Sequence, residues 1–481
     1  MNELFRCRRL ATRGHMDKEY IINCKKDETV LEALRRQGIM IRAFCNGRHT
    51  CGKCRIMLDE ENMSEPAYEE MYLLTDEENA MGARLACFVK PKSDDVENLR
   101  VTILDMLESE APILTGTDEL SMSFSMGDIS FVAIDIGTTT IAAKMIRAGE
   151  VIYTGTRINS QCSYGADIVS RCEEAIKGNS EQLSECLMDD INSIIDELPE
   201  TPSNVIITGN TTMIHLLMEY PVAEMVNYPF RPYYTGWHKK NIMMDSGKVI
   251  PWTIFPNLSA FIGGDIIAGL YYCDFTETDK VNLFIDLGTN AEIALGNREH
   301  ILTASAAAGP AFEGKKLNVA TDVIRCMADL RRNGIFDENG ALKDAYFESG
   351  YEYRVPGTDK YVTVTQRDIR DVQIAKSAIR AGIELLMRLY GVSMKNIGKV
   401  YISGGMGHGL DIKSAVEIGL IPRELESKVT PAGNTSLAGA IKYGDNNFND
   451  ADIEEIISIS EEIRLSEEKE FSELYYEYMQ F

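Results

Sequence analysis

The run FVAIDIGTTTIAAKMI at 131–146 returns in altered form as NLFIDLGTNAEIALG at 282–296. Each reads as a buried apolar strand that ends on an aspartate, turns through Gly-Thr and leaves as a second β-rich run. A unit repeated at domain spacing implies two similar α/β halves that can close over a ligand between them. The turn names the kind of ligand. Gly137 and Gly288 let backbone approach an anion, while Thr138, Thr139, Thr140, Thr289 and Asn290 offer hydroxyl or amide donors beside exposed main-chain amides. Phosphate fits such a turn. Asp135 and Asp286, one per turn, are then the candidates to hold magnesium, which keeps its waters on a phosphate chain and takes one or two carboxylates. A third element, KVYISGGMGHGLDIKSAVEIGLIP at 399–422, brings a strand into Gly404 and Gly405 and then a helix, where backbone can pass beneath a nucleoside. Its glycines miss the G-x-G-x-x-G spacing, and the absence of G-x-x-x-x-G-K-[ST] excludes a P-loop nucleotidase. A single D-x-G-T is more often a plain tight turn. Duplication followed by the Gly-Gly element reverses that weighting.

The N-terminal part carries different chemistry. In FCNGRHTCGKCRIML, Cys45, Cys51 and Cys54 are separated by five and two residues, and Cys87 follows after thirty-two more. Three thiols on one loop and a fourth from afar resemble the ligand set of plant-type ferredoxins, one residue longer in the first gap, and imply a 2Fe-2S cluster. Gly47 and Gly52 suit a loop whose amides must curl inward around sulfide. A structural zinc site usually takes two CxxC pairs, so it is the weaker reading, and His49 is expected to be exposed and not a ligand. Upstream, KEYIINCKKDETVLEALRRQGI reads as a strand and then a helix opened by Asp27 or Thr29 and ended by Gly38. Cys7, Cys24, Cys162, Cys172, Cys186, Cys273 and Cys326 lack ligand spacing and are expected in cores.

With 481 residues, the chain exceeds one core and calls for several packing units. Eleven cysteines without a secretory leader or a membrane-length apolar run point to a cytoplasmic protein whose clustered thiols serve metal or redox chemistry. A formal charge of -25 argues against nucleic acid and anionic membrane as partners.

The duplicated turns resemble the actin, sugar-kinase and Hsp70 ATPase superfamily, in which two ribonuclease-H-like subdomains clasp ATP. Joined to a ferredoxin-like domain, they resemble the reductive activators of corrinoid enzymes. The stretches NSQCSYGADIVSRCEEA (159–175), GNTTMIHLLMEYPV (209–222), FPNLSAFIGGDIIAGL (255–270), SAAAGPAFEG (305–314), QRDIRDVQIAKSAIRAGIELLM (366–387) and GNTSLAGA (433–440) carry that resemblance over most of the chain after the linker. It implies a mixed α/β and α+β multidomain chain: a β-grasp ferredoxin domain at 17–95, a linker at 96–128 and a two-lobed ATPase at 129–481. It further implies ATP-dependent one-electron reduction of cobalt(II) to cobalt(I) in a corrinoid methyl-carrier protein, with the cluster, ATP and Mg2+ as cofactors and an external donor such as a ferredoxin or flavodoxin. Rival readings are an activator of iron-sulfur dehydratases and a non-catalytic redox sensor. Dimerisation stays open, as does the role of residues 1–16.

Within the ATPase part, His215 is expected to pack and not to act as a base, and Asp265 is either a helix cap or a third carboxylate near the phosphates. The helix around 366–387 should underlie the second half, with Gln366 and Lys376 as residues that could reach ligand. The acidic end, 445–481, reads as a closing strand, ISISEEIRLS, and helix, FSELYYEYMQF.

Overall fold

The computed structural model describes residues 18–39, 41–43, 45–58, 62–104, 130–244, 247–288, 290–308, 320–358, 361–404 and 410–481. The first unit is a four-stranded sheet of β1 (Lys18–Cys24), β2 (Arg55–Leu58), β3 (Arg84–Leu85) and β4 (Val96–Ile103), in the order β1-β4-β2-β3. A helix, Val30–Arg36, covers it. Thr29 caps that helix and accepts from the Glu32 amide, while the Glu32 side chain returns to the Thr29 amide, so the first turn loses no hydrogen bonds. Val30, Leu31, Ala33 and Leu34 face a small core with Ile22, Ile56, Leu99 and Val101. Strand β4 corrects the expected boundary at residue 95. It pairs antiparallel with both β1 and β2, so the strand-like run assigned to the linker is a central strand of this sheet. The remainder of the expected linker, 105–128, lies outside the described residues.

The two later sheets repeat one plan. In the first lobe, β5 (Ser130–Ile136), β6 (Thr140–Arg147), β7 (Glu150–Ile158), β8 (Asn204–Gly209), β9 (His238–Met243) and β10 (Val249–Ile254) take the order β7-β6-β5-β8-β10-β9. In the second, β11 (Asn282–Leu287), β12 (Ala291–Gly296) and β13 (Ile301–Ala306) precede a separate hairpin of β14 (Tyr351–Arg354) and β15 (Tyr361–Val364). The second sheet is completed by β16 (Val400–Ser403), β17 (Val429–Gly433) and β18 (Ser460–Glu462), in the order β17-β16-β11-β12-β13-β18. In each lobe the aspartate-bearing strand pairs antiparallel with the next strand and parallel with one that arrives after a helix.

Residues of both lobes share one core. Helices Gly264–Tyr272 and Thr435–Asp445 cross between the sheets and bury Ile266, Leu270, Leu437 and Ile441 against Phe131, Ile206, Phe284 and Ala294. Each such side chain contributes about 1.5–3 kcal/mol of burial free energy. The helices approach closely because Gly439 has no side chain: a Cβ there would lie 2.1 Å from the Ala268 carbonyl oxygen.

The long helix Gln366–Tyr390 underlies the second lobe as expected. Gln366 and Lys376 serve the fold and do not reach a ligand site. Gln366 bonds the Leu342 amide and the Gly340 carbonyl, and the Lys376 ammonium donates to the Tyr478 carbonyl at 2.8 Å and to that of Gln480. The chain end is a helix, Asp450–Ile459, then the short β18 and a helix, Lys469–Glu477. The expected strand is thus confined to its middle.

Candidate functional site

The four cysteines of the first unit gather at one end of its sheet. Cys45 and Cys51 hydrogen-bond one another, as do Cys54 and Cys87, and charge on Cys45 is felt by Cys54 and Cys87. In each pair one thiol is pulled down, Cys45 to about 4 through its bond with Cys51 and Cys54 through its bond with Cys87, while the partner is pushed up. Each pair titrates as a unit. Backbone supplies the rest: the amides of Thr50 and Cys51 stabilise the Cys45 thiolate, and that of Lys53 stabilises Cys51. Inward amides and paired thiolates suit a cluster with two irons, one per pair. Among the described residues, no group of three or more histidine, cysteine or carboxylate side chains is placed to hold a single metal ion.

The loop's backbone explains its glycines. Gly52 has φ +63°, and a Cβ there would lie 2.8 Å from the Leu73 carbonyl oxygen, so the loop and the helix Tyr68–Leu73 touch at that point. His49 is exposed, as expected, and has a role the sequence did not suggest. Its Nε2 lies 3.0 Å from the Cys87 carbonyl oxygen and its ring stacks on Phe88 at 4.0 Å, which ties the three-cysteine loop to the distant fourth cysteine.

The second site lies between the lobes. Asp135 ends β5 and accepts from Asn434 Nδ2 at 2.8 Å and Ser436 Oγ at 2.7 Å. Asp286 ends β11 and accepts from Ser403 Oγ at 2.8 Å, and Ser403 in turn meets Thr435 Oγ1 at 2.5 Å. The segment 434–436 therefore contacts the aspartate systems of both lobes. Asp265 lies in the first turn of the helix Gly264–Tyr272 and is not its cap, because Gly263 holds that position without a side-chain bond. It accepts from the Ile266 amide at 2.9 Å, and it senses the charges of Asp286 and Asp135. Burial, then those two carboxylates, pushes Asp265 up to about 8. Burial raises Asp286 to about 6 and also raises Asp135.

Glu292 is a fourth carboxylate that sequence reasoning missed. It pairs with Asp286 across the β11–β12 hairpin and is raised by burial and by Asp286 and Asp265. The hairpin register holds the signal, because the residue opposite Asp286 shares its face. The first hairpin places Ala142 opposite Asp135, so the lobes differ here. Asp265, Asp286 and Glu292 are each raised by a neighbouring carboxylate as well as by burial, which makes a site wanting positive charge.

The first turn is firmly braced. The Gly137 amide donates to the Thr140 carbonyl at 3.0 Å, and a Cβ on Gly137 would lie 2.7 Å from that oxygen. Asn159 Nδ2 donates to the Gly137 carbonyl, Asn210 Nδ2 to Thr138 Oγ1, and the buried Arg171 guanidinium to the Thr138 carbonyl at 2.6 Å. Thr139 and Thr140 complete the turn, with Thr139 exposed. In the second turn the Gly288 amide donates to Asn290, and Thr289 lies outside the described residues. Gly404 has φ +87° and abuts Asp286: a Cβ would lie 2.6 Å from its Oδ1. Gly405 lies outside the described residues, as does most of SAAAGPAFEG. His215 packs as expected. It is fully buried, its Nδ1 lies 2.8 Å from the Thr211 carbonyl oxygen, and its Nε2 accepts from the Tyr233 amide at 3.1 Å.

Comparison with known families agrees with this division. Residues 15–92 match the 2Fe-2S iron-sulfur cluster binding domain. Residues 131–278 match the RACo middle region, and residues 280–322 and 319–481 match the C-terminal domain of RACo, the ASKHA domain. The chain belongs to the RACo family. These matches support nucleotide binding by the ASKHA domain and a 2Fe-2S cluster in the N-terminal domain. A corrinoid activation enzyme of Eubacterium limosum is 23% identical over 88% of this chain and 91% of its own length. A methylated-amine-specific Co(II) corrinoid protein reductase of Methanosarcina barkeri is 23% identical over 64% of this chain and 68% of its own. The solved structure of a reductive activator for a corrinoid, iron-sulfur protein superposes with a TM-score of 0.66 at 24% identity, covering 98% of this chain and 97% of that one. Its fold is the fold described above. Among the described residues, no helix is long and apolar enough to cross a membrane.

Proposed function

We propose that this chain uses ATP to drive one electron onto the cobalt(II) of a corrinoid methyl-carrier protein, returning it to cobalt(I). One relative is described as a corrinoid activation enzyme and the other as a reductase of a Co(II) corrinoid protein. Cys45, Cys51, Cys54 and Cys87 hold the 2Fe-2S cluster, which supplies a one-electron carrier when bound. Asp135 and Asp286 would hold magnesium, and the turns at Gly137–Thr140 and Gly288–Asn290 would hold phosphates with their amides and hydroxyls. Asp265, raised to about 8 by burial and by the charges of Asp286 and Asp135, is protonated near neutrality and could take a proton from attacking water only once a bound cation had lowered it. Gly404 and the following Gly405, which lies outside the described residues, are assigned to the nucleoside. An external donor such as a ferredoxin or flavodoxin reloads the cluster in the cytoplasm. Residues 18–104 and 130–481 form the two working parts.

Energy sets the need for ATP. Each 100 mV of uphill one-electron transfer costs about 2.3 kcal/mol. Nucleotide can help only if its bound states differ in their preference for a conformation or a partner. The observation that carries the reading is the helix Ile168–Glu174, which touches both sites. Its Arg171 donates to the phosphate turn at Thr138, while Glu173 pairs with Arg48 and Glu174 accepts from Asn46 Nδ2 at 3.0 Å, both on the cluster loop. Arg35 adds a cation–π contact to Tyr164, just before that helix. A shift of the phosphate turn thereby has a short path to the cluster.

The test pairs two variants of anaerobically prepared full-length protein. Cys51→Ser should abolish cobalt reduction while nucleotide still binds, and Asp286→Ala should lose nucleotide-dependent activity with its cluster absorption intact. Cobalt(I) formation that proceeds equally without ATP, or ATP hydrolysis indifferent to the cobalt(II) carrier, would refute the reading.

A further inference from the structure

Among the described residues, the cluster loop is flanked by the first lobe on one side and by the helix Tyr68–Leu73 on the other. Asn46 and Arg48 are held against Glu174 and Glu173 of the first lobe. On the other flank Gly52 rests on Leu73, the last residue of the helix Tyr68–Leu73, and that helix turns an apolar face to solvent. Tyr68 is 82% exposed, Tyr72 83%, Met71 47%, and Met81, just beyond the helix Asp76–Ala80, 62%. Asn79 Nδ2 donates to the Met71 carbonyl at 2.9 Å and fastens the two helices together. Four large exposed side chains in so short a stretch are far from the usual scatter of single surface hydrophobes.

We infer that Tyr68, Met71, Tyr72 and Met81 form the docking surface for the corrinoid carrier, an inference that rests on the function proposed above. Tyrosine and methionine are the anchors of well-packed, desolvated interface centres, whereas brief electron-transfer encounters bury little area. A nucleotide-gated transfer needs a complex that persists through a turnover, which assigns this face to the cobalt acceptor and not to the electron donor. Charge narrows the partner further. Residues 56–83 hold nine acidic residues and no lysine or arginine; Glu65, Glu70 and Glu78 are paired with Lys92, Arg84 and Arg55, and the remainder, Glu69 of the helix Tyr68–Leu73 among them, favours a carrier with an apolar centre and a basic rim. Because Leu73 touches the loop, a protein seated here lies beside Cys51.

The experiment compares holo full-length protein with its Tyr68→Ser/Tyr72→Ser and Tyr72→Glu variants. The probe is a purified methyl-carrier protein loaded with cobalt(II) cobalamin, and the cluster is reduced by dithionite, which needs no docking face. Both variants should keep their cluster spectrum and basal ATP hydrolysis. Cobalt(I) formation at subsaturating carrier should fall at least tenfold, and carrier affinity with it. Unchanged cobalt reduction would overturn the inference. So would unchanged cobalt reduction combined with slower loading by a protein donor, which would give the face to the donor. Absence of cobalt(I) with the unmodified protein would instead refute the functional reading itself, so the two failures are distinguishable.

Discussion

Gly404 illustrates how a single residue controls the nucleotide site. With φ +87° and Asp286 Oδ1 only 2.6 Å from where a Cβ would stand, Gly404→Ala must strain the backbone by about 1–2 kcal/mol or displace the carboxylate. Nucleotide affinity should fall tenfold or more, about 1.4 kcal/mol, with cluster absorption unchanged; titration calorimetry and the visible spectrum of the holo protein check the two in turn. Lys376 makes a stability prediction of known sign. Burial lowers it from its ordinary 10.5 to about 7, so between those values the unfolded chain binds more protons than the folded one. Its contribution therefore rises with pH across that window, by at most about 1.4 kcal/mol per unit. Urea midpoints of the native protein should gain on those of Lys376→Met between pH 7 and 9, and parallel curves would refute it. At this scale the sequence exposed side chains whose chemistry is rare, such as crowded cysteines and paired Asp-Gly-Thr turns. It concealed Asn159, Asn210, Ser403 and Ser436, because one amide or hydroxyl looks the same wherever it points.

Among the elements, the helix Ile168–Glu174 is the joint between electron and nucleotide chemistry. Arg48 and Glu173 are both substantially exposed, 57% and 41%, so their pairing contributes little stability, at most about 1 kcal/mol, but sets the alignment. Arg48→Glu or Glu173→Arg alone should loosen the cluster domain, raising its protease sensitivity and weakening ATP stimulation of cobalt reduction. The charge-swapped double variant should recover both, which a merely structural loss would not do. Elements with strong period and clear caps were legible, including the helix after Thr29 and the long helix from Gln366. Strand β4 was misplaced because its pairing partners, β1 and β2, lie far back in the chain and nothing local marks a long-range ladder. Glu292 was missed for a related reason: it acquires meaning only once the hairpin register sets it opposite Asp286.

For the whole molecule, two halves of one plan share a core through helices that pass at Gly439, where even a methyl would press on Ala268. Gly439→Val should destabilise the fold by about 1–3 kcal/mol and impair nucleotide binding together, measured by thermal unfolding with and without Mg-ATP. Four buried carboxylates, three of them raised further by a neighbour's charge, also predict that ATP with excess EDTA stabilises the protein less than Mg-ATP; equal shifts in melting temperature would exclude the cation role. The general architecture could be read ahead because duplication is visible along a chain, whereas the contact between cluster loop and first lobe could not, since nothing in either segment announces its neighbour.

The tripeptide 434–436 grips Asp135 with two of its side chains and, through Ser403, leans on Asp286 with the third. Neither lobe can register its occupant privately. A phosphate drawn in at one turn tugs a peptide that the other turn also feels, so the cleft behaves as one detector with two inputs, and half-filled states should be scarce.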